Sequence, residues 1–474
     1  MNTGRYSRIL SIVWSLCGTI AGLLFIRSNR ELAMSVVPLH LSKVFTSFWL
    51  VVAIVIAWIL IFSFVKLVFN AISGDIMARR ILLYSLPFLL VTLCMVFVNR
   101  RNGYYYSGDE YYVYYQALLL YPYAFVYTSE AYLVSFFILP LSLSPVLVKT
   151  VIDSLIMGYV VRRFEEHYRS KWVYTLFLFC LMPPFYKLGA EVHRMHWYGF
   201  IYLFFVVKLY FDAKEKQKNI NENLYIIAII SLLTTWRREG IYLLIFGAII
   251  LAIAYLKGAT KQQIAKYLGV FFICELLFFI PIITDGGMKE RGIEIDAILV
   301  HMLGEESFDR DKVAKELEII DKNVDISIID KYNQEMGFSG FEMNYFDATW
   351  YKDGMYYMQR DTWGASYEEF SKAVISMVIK EPVVFIKSRI RAYIAAGYSL
   401  DFYNLILPLL IIFVGLIHGL RKDKAMFVLM LGLLAHISIT TLTMPASFFK
   451  YFFHMWLVAY TFVVVLLMER IKRG

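Results

Sequence analysis

Residues 44–69 read VFTSFWLVVAIVIAWILIFSFVKLVF, a run with a single charge, Lys66, and no polar stripe at helical spacing. A helix rises 1.5 Å per residue, so about 20 apolar residues cross a hydrocarbon core about 30 Å thick. Comparable blocks lie near 10–26, 81–98, 145–161, 172–188, 197–212, 224–236, 240–256, 267–284, 402–420, 425–444 and 449–468. The sequence therefore predicts an all-α polytopic membrane protein of about 12 transmembrane helices. Composition agrees: 59% of residues are hydrophobic and 18% charged, with mean hydropathy +0.59. A soluble domain is about 45–50% apolar and about 25% charged. The first block has no small-x-small exit and runs into Arg27, Arg30 and Glu31, so it reads as a retained span, not a cleaved signal. Cys17, Cys94, Cys180 and Cys274 each fall inside a predicted span, with no CxxC and no Cys/His cluster. They read as small packing residues, and neither a disulfide framework nor a zinc site is indicated.

The net charge of +9 is unevenly spread. Residues 285–401 hold 22 of the 38 acids and 14 of the 47 bases, a local net of −8, which leaves +17 on the rest. With Arg5 and Arg8 in the cytoplasm, twelve spans put 70–80, 162–171, 213–223, 257–266, 421–424 and the C-terminal tail inside. These segments and the N-terminus carry 20 bases against 8 in the short outside loops. That is the positive-inside bias, so the basic residues report topology and do not point to nucleic acid. The segment 27–43, outside with three bases, fits least well. The predicted organisation is an N-terminal transmembrane hairpin (1–80), a transmembrane core (81–284), an extracytoplasmic, mostly helical lobe (285–401) and C-terminal transmembrane helices (402–474). Eleven tyrosines lie between Tyr104 and Tyr132, and 114–140 is apolar but broken by Pro122, Glu130 and Pro140. This predicts interfacial helices over 114–140, with tyrosine hydroxyls at the headgroups. Residues 381–400 read as a basic amphipathic helix returning to the membrane.

Residues that carry chemistry gather on the outside. Asp109 and Glu110 follow the third span. Two adjacent carboxylates in aromatic surroundings suit a general base, or ligands of a divalent cation such as Mg or Mn, although nothing in the sequence requires a cofactor. The plain alternative is a solvated Ser-Gly-Asp-Glu turn. Between spans five and six stand Lys187, Glu191, His193, Arg194, His196 and Trp197, a cation cluster able to hold phosphate or pyrophosphate, or else headgroup anchors. Trp236-Arg237-Arg238-Glu239-Gly240 makes a tight charged turn between two apolar runs. One Arg can pair with Glu239 and leave the other for an anion, or both can snorkel. Lys450 and Tyr451 close the last outside turn. Acids at 109–110 facing cations at 187–194, 237–238 and 450 suit activation of a hydroxyl while a lipid phosphate leaves.

This arrangement resembles the GT-C superfamily of integral-membrane glycosyltransferases. The resemblance rests on Asp109-Glu110 followed by 114–140, on Arg237-Arg238-Glu239-Gly240-Ile241-Tyr242, and on Lys450-Tyr451-Phe452. It covers spans three to nine and, loosely, the last. It implies an inverting enzyme of the plasma (inner) membrane that takes a sugar from a polyprenyl-phosphate donor to a glycan or lipid acceptor of the cell envelope, on the extracytoplasmic face. Asp109 would be the general base, Glu110 its orienting partner, and Arg194, Arg237, Arg238, His193 and Lys450 the phosphate ligands. The chain departs from the pattern in three ways: the acidic motif follows the third span and not the first, Lys450 stands where many members have Arg, and 285–401 matches no familiar module. Two other readings stay open: a polysaccharide polymerase or ligase using a pyrophosphate-linked glycan, and a lipid-linked saccharide transporter. Transport predicts mid-span charges and an internal repeat. No repeat is evident, and Lys66 and Glu275 are the charges noted in the spans.

Overall fold

A computed structural model describes residues 3–36, 43–102, 110, 113–114, 117–118, 126–139, 143–215, 229–234, 236, 240, 243, 260–284, 293–336, 352, 365–397, 402–444 and 447–471. Among these residues the chain is almost wholly helical, with no strand. Six helical segments are long and apolar enough to cross a bilayer: Tyr6–Leu24, Leu50–Ile72, Ile76–Arg100, Ser144–Tyr168, Lys424–Thr443 and Phe449–Glu469. This is compatible with a membrane protein. Of the predicted span 224–236 the described residues are 229–234 and 236, all helical, and of 240–256 they are 240 and 243. The chain forms two compact units, Met1–Gly287 with Asp423–Leu429 and Leu457–Gly474, and Met288–Lys422 with Met430–Trp456.

The first unit contains α1 (Thr3–Val36), α2 (Lys43–Ile72), α3 (Ile76–Asn102), α4 (Val126–Ile138), α5 (Ser144–Tyr168), α6 (Pro183–Ala190), α7 (Arg194–Glu215) and α8 (Lys261–Thr284). Gly74, at φ +101°, lets the chain reverse after α2. Asp75 then starts α3, its Oδ1 accepting the N–H groups of Met77 (2.8 Å) and Ala78 (3.2 Å). α3 and α5 approach closely because α5 carries Gly158. A Cβ there would stand 2.5 Å from the Ile81 carbonyl and overlap the Ser85 hydroxyl. Small residues likewise seat α1 on α4: Cβ atoms at Gly18 and Gly22 would overlap the carbonyl oxygens of Phe137 and Phe136.

Two expectations are corrected here. The span predicted over 172–188 is not one helix. It is a 3₁₀ helix, Lys171–Leu181, and α6, bent by 62° between them. Pro183 and Pro184 are the reason, since proline offers no N–H and drives the preceding residue out of the helical region. Met182 sits at φ −93°, ψ 115°. The second concerns 114–140. Its described helix, α4, is a core element in contact with α1, α2 and α5, with Tyr132, Phe136 and Phe137 fully buried. The Tyr132 hydroxyl finds a buried carboxylate, so it does not need the headgroups.

Charged side chains tie helix ends together. Glu165 on α5 accepts hydrogen bonds from Tyr84 (2.9 Å) and Tyr174 (3.0 Å) and pairs with Arg80 at 2.9 Å. Lys214 on α7 pairs with Asp423 at 2.7 Å and Glu469 at 3.3 Å. Burial favours the neutral form of Asp423, but hydrogen bonds from Lys214 and Tyr210 outweigh it and hold its carboxyl below the usual range.

The second unit contains α9 (Ile293–Leu303), α10 (Ala314–Asp321), α11 (Ile326–Met336), α12 (Ala365–Lys380), α13 (Pro382–Ala396), α14 (Ile406–Lys422) and the later part of α15 (Lys424–Thr443). A further helix, α16 (Phe453–Ile471), starts in this unit and continues in the first. Leu299, Met302, Val313, Ile320, Ile329, Phe370, Val374 and Met377 build one core. Glu316 on α10 is held to α12 by Ser376 Oγ (2.8 Å) and Lys380 Nζ (2.8 Å). α13 departs from the expected basic amphipathic helix. Its arginine points inward and its isoleucines outward: Arg389 is buried, while Ile386 and Ile390 are more than half exposed.

Candidate active site at Glu110

The loop Glu191–His193 separates α6 from α7, and α7 opens at Arg194. His193 Nδ1 accepts the N–H of Met195 at 3.1 Å, satisfying one of the first-turn donors of α7. The Arg194 N–H, another such donor, reaches Glu110 Oε1 at 3.2 Å. The Arg194 side chain returns to the same oxygen, Nη1 donating at 2.9 Å. The other oxygen, Oε2, accepts the Tyr132 hydroxyl at 2.7 Å. His193 Nε2 stands 3.8 Å from Oε1. Glu110 is fully buried, and Arg194, His193 and Tyr132 are less than a tenth exposed.

This is a carboxylate at the amino end of a 22-residue helix, neutralised by the helix dipole and by a guanidinium. Around it, Trp236 Nε1 donates to the Arg194 carbonyl at 2.9 Å and its ring stacks on Trp197, centroids 6.2 Å apart. The His193 and His196 rings lie 5.0 Å apart. The segment before Arg237 is thereby tied to the start of α7, with Gly240 packed against the Leu233 carbonyl.

Of the residues singled out in the sequence, the structure brings Glu110, His193 and Arg194 together. Glu191 is half-buried in the adjoining loop, and Lys187 is exposed on α6. Asp109, Arg237 and Arg238 lie outside the described residues; Asp109 directly precedes Glu110, Arg237 directly follows Trp236, and Arg238 is one position further on. Lys450 and Tyr451 belong to the second unit, where the Lys450 ammonium lies 4.7 Å from the Phe448 ring centroid and Tyr451 is buried. The arrangement does not fit Glu110 as a ligand of Mg or Mn. Both its oxygens face N–H or O–H donors, one of them cationic, and a metal beside Arg194 would be repelled. Among the described residues no group of three His, Cys, Asp or Glu converges.

Three participants escape a sequence reading. Tyr132 is one tyrosine among eleven, and Trp236 precedes a motif whose arginines draw the eye. Lys149 and Asp153, an i,i+4 pair inside an apolar block, are the third miss and correct the expectation of few mid-span charges. Lys149 is fully buried, 2.6 Å from Asp153, and its Nζ donates to the Gly189 carbonyl at 2.9 Å. It thereby caps the carboxyl end of α6, just before the Glu110 cluster. The chain matches no family model, no curated protein and no solved structure.

Proposed function

We propose that the chain is an integral-membrane glycosyltransferase of the GT-C type, with about twelve spans, acting at the extracytoplasmic face of the plasma membrane on a polyprenyl-phosphate sugar. The observation that carries this reading is the buried Glu110–Arg194 pair. It fixes the backbone beside Asp109 against the amino end of α7, a position with favourable potential for anions. Asp109 takes the proton of an acceptor hydroxyl. The acceptor oxygen then bonds to the anomeric carbon, and the bond from that carbon to the phosphate oxygen breaks. Polyprenyl phosphate leaves, and the configuration inverts. The charge pattern parallels glycoside cleavage with phosphate as leaving group. Glu110 positions Asp109 and does not itself transfer the proton, because its oxygens are engaged. Arg194 is committed to Glu110, so the phosphate falls to Arg237 and Arg238, which follow Trp236 in the chain.

The test is transfer of radiolabelled sugar from polyprenyl phosphate to a cell-envelope extract, in membranes carrying wild type or Asp109→Asn at equal expression. Transfer by wild type and not by the variant is expected; a variant with full activity would overturn the assignment. One observation favours a second reading, transport of a lipid-linked saccharide. The bent pair of helices and the buried Lys149–Asp153 pair resemble the broken helices and internal charges of transporters. Asp153 lies nine residues into α5, about 13 Å along a helix of about 37 Å. Movement of a labelled lipid-linked saccharide across proteoliposomes, with no transfer from any donor, would select this reading.

A further inference from the structure

The outward isoleucines of α13 leave Arg389 facing the interior of the second unit. Its side chain is 1% exposed. Nη1 donates to the Met444 carbonyl at 3.1 Å, and the guanidinium carbon lies 5.7 Å from the Phe385 ring centroid. Nε and Nη2 are buried and have no hydrogen-bond partner. No carboxylate pairs with the group among the described residues, and burial alone draws its pKa down to about 9. Its neighbour on the helix is a contrast: Arg391 pairs with Glu305 at 3.4 Å and donates to the Gly304 carbonyl.

The two idle nitrogens are a matched set. Nε and Nη2 form the side edge of the guanidinium, the fork that grips two oxygens of one oxyanion through parallel N–H donors. Meanwhile Nη1 fixes the guanidinium plane against the Met444 carbonyl. Three positions on from Met444 stands Ser447, whose hydroxyl is buried and without a hydrogen-bond partner. A buried cation with an empty fork and no acid is a costly arrangement for purely structural ends, since an apolar side chain of similar length would fill the same space more favourably. We infer that the Nε/Nη2 edge of Arg389, together with the hydroxyl of Ser447, three positions on from the Met444 anchor, is a binding site for a phosphate group. Phosphate in preference to carboxylate rests on the glycosyl-transfer reading; the anion site itself does not.

The test is thermal stability of the full-length protein in nanodiscs. Inorganic phosphate and pyrophosphate are titrated onto phosphatidylcholine discs in one arm. Phosphatidic acid or polyprenyl phosphate is built into the discs in the other. At least one probe is expected to raise the melting temperature of wild type, with Arg389→Met and Ser447→Ala binding it more weakly. For Arg389→Met the loss should be about tenfold or more, the scale of a lost charge-assisted hydrogen bond. Unliganded Arg389→Met should be no less stable than wild type. A response in the first arm assigns a free phosphate group, and a response in the second alone assigns a lipid headgroup. No response from wild type in either arm would overturn the proposal, as would an undiminished response from Arg389→Met. Should Arg389→Met not fold, Arg389→Lys decides, because a lone ammonium cannot form the fork: an unchanged response overturns the site. No sugar donor enters these measurements, so their outcome is separate from that of the transfer assay.

Discussion

Glu110→Gln keeps the size of the side chain and removes its charge. The fully buried carboxylate accepts three hydrogen bonds, from Arg194 Nη1, Arg194 N–H and Tyr132 Oη. The amide oxygen can keep one set of donors, but the amide nitrogen then turns N–H groups toward another donor. More important, the variant removes the carboxylate that pairs with the nearly buried Arg194 guanidinium. Breaking a buried ion pair by removing one partner costs about 3–5 kcal/mol. Arg194 has a little exposure, so about 3 kcal/mol is the expected loss. Arg194→Met alone strands the carboxylate and should cost as much. The double variant strands neither charge and should lose much less than the sum, giving a coupling of about 2–3 kcal/mol. The assay is reversible denaturation in mixed micelles followed by tryptophan emission, for which the stacked Trp197 and Trp236 are local reporters. Single losses below about 1 kcal/mol that simply add would refute the buried pair as the organiser of this site.

Other outcomes follow from the same physics. Lys149→Met or Asp153→Leu alone should each destabilise by about 3–5 kcal/mol, while the double change should come out near neutral, by the logic of buried pairs; thermal melts of the three variants check this. Gly158→Ala should cost about 1–3 kcal/mol by overpacking, since the new Cβ would press on the Ile81 carbonyl; an unchanged melting temperature would show that α3 and α5 can part freely. Glu316 is held below the ordinary carboxylate range, chiefly by its hydrogen bond from Lys380. The stability it contributes is therefore present above the ordinary value and is lost as pH falls through the lowered one. Glu316→Gln should lose that contribution at neutral pH and converge with wild type at acid pH, so that the acid limb of its stability profile is flatter, and a profile parallel to wild type would count against the pair.

The helices were legible in the sequence because bilayer length and apolarity are local properties: a run such as 44–69 has no alternative but a helix that satisfies its own backbone. The proline pair at 183–184 was legible too, but its effect, a bend of 62°, was not drawn from it. Within the candidate site, Glu110, His193 and Arg194 stood out as charged or titratable residues in apolar surroundings. Tyr132 and Trp236 did not, because a tyrosine hydroxyl or an indole N–H takes on a role only when packing brings an acceptor to it.

By itself, the sequence determined that the chain is helical, where its apolar helices run, and which few polar residues have to be reckoned with. Tertiary structure alone decided their pairing. Glu110 meets a guanidinium 84 positions away, and Lys149 caps a helix 40 positions on. Lys214 meets a carboxylate 209 positions away, and Arg389 turns inward where its spacing pointed out. Hydrophobic length acts within a segment, whereas a buried charge is settled only by whichever opposite charge, carbonyl or empty space the packed helices leave beside it.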